Sequence, residues 1–383
     1  MPTFLTGARV LTPDEEIAGG SVIVEDGRIA EVAVGLSPPA SAEVVDLRGL
    51  TLAPGLIDIH VHGGGGFSLA TGDAGELRSY ARWVVAHGVT SFVASIVGEM
   101  PEEGEAALRA IGEAGRIEGG AGLLGAHLEG PFVSPKRRGA LPEGWLRPPD
   151  AGLLERLLEA AGGRLRLITL APELAGAAAL LEQAVRAGCI VAVGHSDATY
   201  QEAWDAFARG ARHLTHAFNA MRSFHHREPG PLGAALDAQG VSVELIADGV
   251  HVHSAAARMV VRAKGIEGVV LVTDGVPPAG LSEGSFRIGG RGARLAEGRI
   301  ALPDGTIAGS ATTMARVVRH VVGEGIATAA QAVRMASTVP AGVLGLGDRK
   351  GRIARGYDAD LVALDSELNV ARTWVAGLVV HGG

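Results

Sequence analysis

From residue 54 onward one pattern repeats: a short apolar run, then an amphipathic stretch that ends in glycine. GLIDIHVH is followed by GELRSYARWVVAHG, VTSFVASIV by PEEGEAALRAIGEAG, and GLLGAHLEG supplies a third apolar run. Runs of this length bounded by glycine read as buried strands, and the amphipathic stretches between them as helices. Strand, crossover helix and next strand imply parallel pairing, because antiparallel neighbours need only a turn. Five further strands follow: RLITLAP (166–172), CIVAVGHS (189–196), ARHLTHAF (211–218), VSVELIAD (241–248) and GVVLVTDG (268–275). Eight strand–helix units closing on themselves form a TIM barrel, an α/β fold with its active site at the carboxyl ends of the strands.

The flanks break the pattern. Residues 1–53 hold ARVLT, GSVIVEDGRIAEVAV and AEVVDLRGLTLAPG, and the end of the chain resumes that style with GRIARGYDADLVALD and TWVAGLVV. Their alternation and glycine turns predict a small β-sandwich built from both termini, residues 1–53 plus 346–383, around a barrel spanning 54–345. A total of 383 residues leaves room for both, since such barrels run to about 250 residues. The segment 281–309 reads as a hairpin insertion over the barrel mouth.

Composition narrows the partners. The formal net charge is −8 and the only basic cluster is Lys136–Arg137–Arg138, so nucleic acid and anionic membranes are poor partners and a small molecule is the expected one. No run approaches 18 apolar residues, and MPTFLTGARVL carries no basic leader, so the expected location is cytoplasmic. The single cysteine, Cys189, has no disulfide partner within the chain and reads as a small buried hydrophobe.

The thirteen histidines are the chemistry to be explained. A lone histidine on an apolar strand is usually a hydrogen-bonded core residue. Here, however, His60 and His62 end strand one, Glu129 ends strand three, His195 ends strand five, His216 lies near the end of strand six and Asp274 ends strand eight. All six converge on one mouth. Residues i and i+2 of a strand face the same side, so His60 and His62 are placed to hold one cation together. Imidazole with carboxylate favours zinc, iron, manganese or nickel over magnesium or calcium, and the lack of a second cysteine removes thiolate sites. The arrangement expected is two cations, one held by His60, His62, Glu129 and Asp274, the other by Glu129, His195 and His216, with Glu129 bridging. A single ion on the second set is the alternative. Water on such an ion ionises near neutral pH, and Asp274 is the carboxylate placed to shuttle its proton.

IDIHVH, HLEGPF, GHSDAT, THAFNAM, ADGVHVH and TDGVPPAG occur in this order. Together they closely resemble the N-acetylglucosamine-6-phosphate deacetylase family of the amidohydrolase superfamily, over nearly the whole chain. HLEGPF and TH-x-FNAM carry that resemblance, whereas a strand-end HxH is common to many amidohydrolases. The resemblance implies a barrel with a small β-sandwich, a homodimer, one or two divalent ions (zinc, iron, manganese or cobalt), and hydrolysis of a phosphorylated amino sugar's N-acetyl group. It gives Glu129, His195 and His216 as a metal triad, Asp274 as acid and base, and His60 and His62 as ligands of the two-metal form. It also gives Asn219 and Ala220 as phosphate contacts through the backbone, His251 as a substrate contact, and Arg227 as reaching the neighbouring subunit's substrate phosphate.

One position departs: where several members carry a carbonyl-polarising histidine twelve residues beyond the triad glutamate, this chain has Leu141. A cation on His60 and His62 would supply the polarisation instead. Two competing functions fit the sequence less well. A cyclic amidase or D-aminoacylase-like hydrolase usually bridges its metals with a modified lysine on strand four, and RLRLITLAPE has none; a non-catalytic scaffold would have lost ligands. His127 reads equally as metal-site support or core, His213 as structural, and His225 and His226 as loop residues.

Overall fold

The computed structural model describes residues 1–382 and contains the eight barrel strands in one sheet. They are β1 (Leu56–Val61), β2 (Val89–Ile96), β3 (Gly122–Glu129), β4 (Leu165–Leu170), β5 (Ile190–Val193), β6 (His213–Leu214), β7 (Ser242–Leu245) and β8 (Val269–Leu271). Neighbours in sequence are neighbours in the sheet, and every pair is parallel. Helices begin where short polar side chains meet free backbone donors. Asp73 accepts from Gly75 N at the start of the helix Ala74–Val84, Asp150 caps Ala151–Ala161, and Thr199 with Glu202 forms a reciprocal box on Tyr200–Ala208. The helix Ala151–Ala161 buries Leu153, Leu154, Leu157 and Ala161. That spacing is one helical face, and each leucine contributes about 1.5–3 kcal/mol by leaving water.

The sheet closes at the seam between β1 and β8. Val61 bridges Gly275 in parallel, Asp274 N donates to His60 O at 2.8 Å, and His62 N donates to Gly275 O at 2.7 Å. Buried Asp58 adds a clip, accepting from Thr273 N (3.3 Å) and Thr273 Oγ1 (2.5 Å). The strands that complete the ring are therefore the ones that bring His60, His62 and Asp274 together.

Both chain ends build a second sheet of eight strands. Its order runs through Leu378–His381, Val370–Val375, Leu361–Leu364, Thr51–Pro54, Thr3–Leu11, Glu16–Glu25 and Arg28–Val34, with Glu43–Asp46 also on Thr3–Leu11. By hydrogen bonding it is one continuous sheet, and it surrounds its own core of Val10, Val22, Ile29, Leu52, Leu361 and Trp374.

The expected hairpin insertion is larger than one hairpin. Gly284–Ile288, Arg291–Ala296, Arg299–Ala301 and Ile307–Ser310 form a four-stranded antiparallel sheet with a separate core of Val276, Leu295, Ile300 and Leu302 among others. Residues 287–291 and 306–309 of it line the barrel-mouth cavity. Among the described residues no helix is long and apolar enough to cross a membrane.

Candidate metal centre

All six sequence-expected metal-site residues meet at the carboxyl ends of the strands. His60 lies within β1 and Glu129 ends β3, whereas His62, His195, His216 and Asp274 lie just past β1, β5, β6 and β8. The last three leave the pleat sharply: His195, His216 and Asp274 have left-handed backbone, with φ of 46°, 27° and 47°. Such conformations cost about 1–3 kcal/mol each in a residue with a Cβ, and they cluster where surrounding structure enforces them. Phe218 and Ala220, on the loop after β6, share the conformation.

Glu129 is the centre of the cluster. Its Oε1 lies 3.1 Å from His195 Nε2, 3.1 Å from His216 Nε2 and 3.4 Å from His60 Nε2, while Oε2 lies 3.2 Å from His62 Nε2. His195 Nε2 and His216 Nε2 are themselves 3.1 Å apart. Asp274 Oδ1 lies 3.3 Å from His62 Nε2 and 3.5 Å from His60 Nε2. Two groups of potential ligand atoms result: His60 with His62 and Asp274, and Glu129 with His195 and His216. Ligand atoms about 2.0–2.1 Å from a tetrahedral ion stand roughly 3.3 Å from one another, so these spacings fit divalent ions. His60 Nε2 is buried without a hydrogen-bond partner, which also fits a nitrogen reserved for a metal.

Electrostatics favour positive charge at this mouth. Burial works against protonation of His60, yet Glu244, Asp274 and Glu129 together raise its pKa well above the usual value. For His62 burial is likewise outweighed by Asp274 and Glu129, and the pKa rises to about 9. Burial would raise the Glu129 carboxyl, but His60, His195 and His216 hold it well below the usual range; for Asp274 burial is likewise outweighed by His60 and His62, and its pKa is lowered. A field that draws protons onto imidazoles in this way is equally a field for a metal cation.

Beneath the cluster lies a buried polar layer. His127 stands 3.1 Å from Ser95 Oγ and 2.8 Å from Thr169 Oγ1, and burial pushes its pKa down to about 3. It is a neutral cross-strand link, with Ser95 Oγ also accepting from Val61 N on β1. His213 pairs with Glu244 at 2.9 Å, and Glu244 reaches His60 Nδ1 at 2.8 Å. Glu244 is the polar residue sequence reasoning passed over. Its only signal was an acidic side chain inside the apolar run VSVELIAD, with histidines on the neighbouring strand.

Above the candidate metal cluster is a cavity of about 600 Å³. Its wall includes His62, Glu129, His195, His216 and Asp274, together with Asn219, Ala220, His251 and Leu141. His251 is held by Asp248, with Nδ1 2.8 Å from Oδ2. Asn219 Nδ2 donates to Ala217 O at 3.0 Å. Arg227 is exposed, with Nη1 2.9 Å from His226 Nε2, and lies off the cavity wall of its own chain, as do His225 and His226. Lys136 and Arg137 pair with Asp197 instead of facing the cavity. The cations on the wall are Arg287 and Arg291, contributed by the inserted sheet through the turn RIGGR. Cys189 is buried, and its thiol donates to Leu165 O.

Comparison with known proteins matches this geometry. The amidohydrolase family model aligns with residues 51–380. The N-acetylglucosamine-6-phosphate deacetylase of Bacillus subtilis (strain 168) is 38% identical over 375 residues, covering 96% of this chain and 94% of that protein. The enzyme of the same name from Homo sapiens is 37% identical, covering 98% and 93%. A mutant of the Mycobacterium smegmatis deacetylase, solved with N-acetyl-D-glucosamine-6-phosphate, superposes with a TM-score of 0.92 at 37% identity over 99% of both chains. The chain therefore belongs to the amidohydrolase family, in its N-acetylglucosamine-6-phosphate deacetylase branch.

Proposed function

We propose that the chain removes the acetyl group of N-acetylglucosamine 6-phosphate by hydrolysis, releasing acetate and glucosamine 6-phosphate. One observation carries the reading: six side chains suited to divalent metal meet under a sugar-sized cavity, in a chain that aligns end to end with deacetylases. Its catalytic unit is the barrel, residues 54–345, and the small β domain is 1–53 with 346–383.

His60, His62, Glu129, His195, His216 and Asp274 would hold the metal, with Glu129 placed between the two groups of ligand atoms. Bound metal, zinc, iron, manganese or cobalt, supplies Lewis acidity toward the carbonyl and lowers the pKa of water. Asp274 takes the proton of the attacking water as the new C–O bond forms. It then returns that proton to the sugar nitrogen as the C–N bond breaks, so proton and leaving group balance. The carboxylate is suited to the first step because its low pKa keeps it ionised at neutral pH. Leu141 offers no donor to the carbonyl oxygen, so a cation held by His60 and His62 would supply the polarisation that a side chain there cannot.

His251, fixed by Asp248, contacts the sugar, and the backbone at Asn219 and Ala220 meets the phosphate. Exposed Arg227 serves the neighbouring subunit of a homodimer, where its guanidinium clamps the phosphate. A cytoplasmic location suits this reading, since a sugar phosphate is too charged to cross a membrane unaided. The test is acetate release from the 6-phosphates of N-acetylglucosamine, N-acetylgalactosamine and N-acetylmannosamine after reconstitution with each metal. No acetate from any pairing refutes the reading.

A further inference from the structure

Glu244 on β7 is fully buried and stands outside the ligand set. Its carboxylate takes up three donors. Oε2 lies 2.8 Å from His60 Nδ1 and accepts from His216 N at 3.0 Å, and Oε1 lies 2.9 Å from His213 Nε2. His213 Nδ1 in turn stands 2.6 Å from Ser242 Oγ. Burying a carboxylate is costly unless its lone pairs are met, and here they are met from β1 and from β6 with the residues just past it.

The pairing dictates a tautomer. An ionised carboxylate only accepts, so the His60 nitrogen facing it carries the proton, and a neutral ring then leaves Nε2 as a bare lone pair. That Nε2 has no hydrogen-bond partner and lies 3.4 Å from Glu129 Oε1 and 3.5 Å from Asp274 Oδ1. The two carboxylate oxygens around that nitrogen leave a place for positive charge, filled by a second proton on the ring or by a cation that takes the proton's place. We infer that Glu244 is a positioning residue, which fixes the tautomer and ring orientation of His60 and so governs cation binding at the His60, His62 and Asp274 half of the site. The inference rests on the reading of His60 as a metal ligand.

A plain structural cross-link between β1, β6 and β7 would use the same three bonds. The two halves of the site tell them apart. Glu244 touches a side chain of the first half, His60, but reaches the second half only through the backbone N–H of His216. A positioning role therefore acts on one half.

Two substitutions grade the effect. In Glu244→Gln the amide oxygen can occupy the Oε2 place and accept from His60 and His216. The amide NH₂ then faces His213, whose ring changes tautomer and donates from Nδ1 to Ser242 Oγ, while that hydroxyl donates to Arg212 O at 3.3 Å. The acceptor is kept and the charge is lost. Glu244→Leu removes both.

Metal-stripped full-length protein is titrated with Zn²⁺ against a chromophoric chelator, with circular dichroism as the check on folding. His60→Asn removes one of two binding steps. Glu244→Leu should weaken that same step roughly 10–100-fold, the range for losing the partner of a ligating histidine, and Glu244→Gln should weaken it less. The other step stays as in the unaltered protein. If both steps weaken together, or neither moves, Glu244 is only a cross-link and the inference is overturned. Should Glu244→Leu fail to fold, movement of that one step in Glu244→Gln decides alone. If His60→Asn itself titrates like the unaltered protein, the ligand reading fails, and that outcome is distinct from failure of the Glu244 inference.

Discussion

Gly309, in the strand Ile307–Ser310, tests whether the inserted sheet holds Asp274 in place. It adopts φ +66°, and a Cβ built there would stand 2.4 Å from Val276 Cγ1 and 2.9 Å from Asp274 O. The neighbouring Ser310 N donates to that same Asp274 carbonyl at 2.8 Å, so this strand and the Asp274 backbone are locked side by side. Gly309→Ala carries two costs. A left-handed residue with a Cβ costs about 1–2 kcal/mol, and forcing a methyl into packed surroundings costs about 1–3 kcal/mol more. Gly305 supplies the control, since it lies in the turn that leads into the same strand, at φ +85° with nothing within 4 Å of its Cβ position. Gly305→Ala should show the first cost alone. With roughly 2–4 °C per kcal/mol for domains of about 150–250 residues, and less for a longer chain, Gly305→Ala should lower the melting temperature by a few degrees and Gly309→Ala by about twice as much. The kinetics should separate further. Val276 can yield by turning its side chain, but the Asp274 carbonyl is backbone, and displacement there carries the carboxylate with it. A misplacement approaching 1 Å costs about 10²-fold in rate, so kcat should fall in Gly309→Ala and stay unchanged in Gly305→Ala. Equal melting temperatures and equal kcat in the two variants would refute the account.

Asp274→Asn should keep most of the bound metal and lose about 10²–10⁴-fold in kcat, as expected for a missing proton shuttle; parallel elemental analysis and acetate assays read both. Glu129→Gln should strip metal from both halves, because four imidazole nitrogens lie within 3.4 Å of this one carboxylate, and full occupancy by elemental analysis would contradict the bridge. Arg227→Ala should raise KM for the phosphorylated sugar far more than for the unphosphorylated one, with kcat little changed, since a phosphate clamp contributes binding. Asp248→Asn should lower the pKa of His251: burial opposes protonation of this ring, and the Asp248 carboxylate outweighs it to set a raised value. The raised pKa means that the His251–Asp248 pair adds stability fully present below about pH 6.5 and lost as pH rises through the folded-state value. NMR titration of the ring and melting curves across that window should both lose this dependence in the variant.

The barrel was legible because most of its strands are largely apolar runs of buried residues and several of its helices carry a glycine stop signal. Gly88 ends the stretch after the helix Ala74–Val84 at φ +78°, and Gly162 ends Ala151–Ala161 at φ +55°. His60 and His62 were legible as a pair because period-two geometry is local. The remaining candidate ligands could be placed only at strand ends, since what aims them is not local. His195, His216 and Asp274 turn into the mouth through left-handed backbone, and nothing in GHS, THA or TDG requires that conformation. The same holds for Arg287 and Arg291, which reach the cavity because a four-stranded sheet, read beforehand as a hairpin, folds over it.

Glu244 was hidden for a sharper reason. A single acidic residue in a strand ordinarily marks the solvent face, yet all four residues of β7 are buried. In a closed barrel, burial on both faces removes the alternation that a sequence reading depends on. A charge can occupy such a strand only where other strands supply donors, and here they come from β1 and from the β6 region, residues 60, 213 and 216. The compensation is thus spread across about 180 positions of chain, and no window of sequence contains it. The same reasoning explains why the chemistry sits at the seam. Asp58 clips β1 to Thr273, and Asp274 N bonds to His60 O, so the contacts that close the ring also fix the spacing of His60, His62 and Asp274. Loosening the seam would therefore act directly on the spacing of these three candidate ligands.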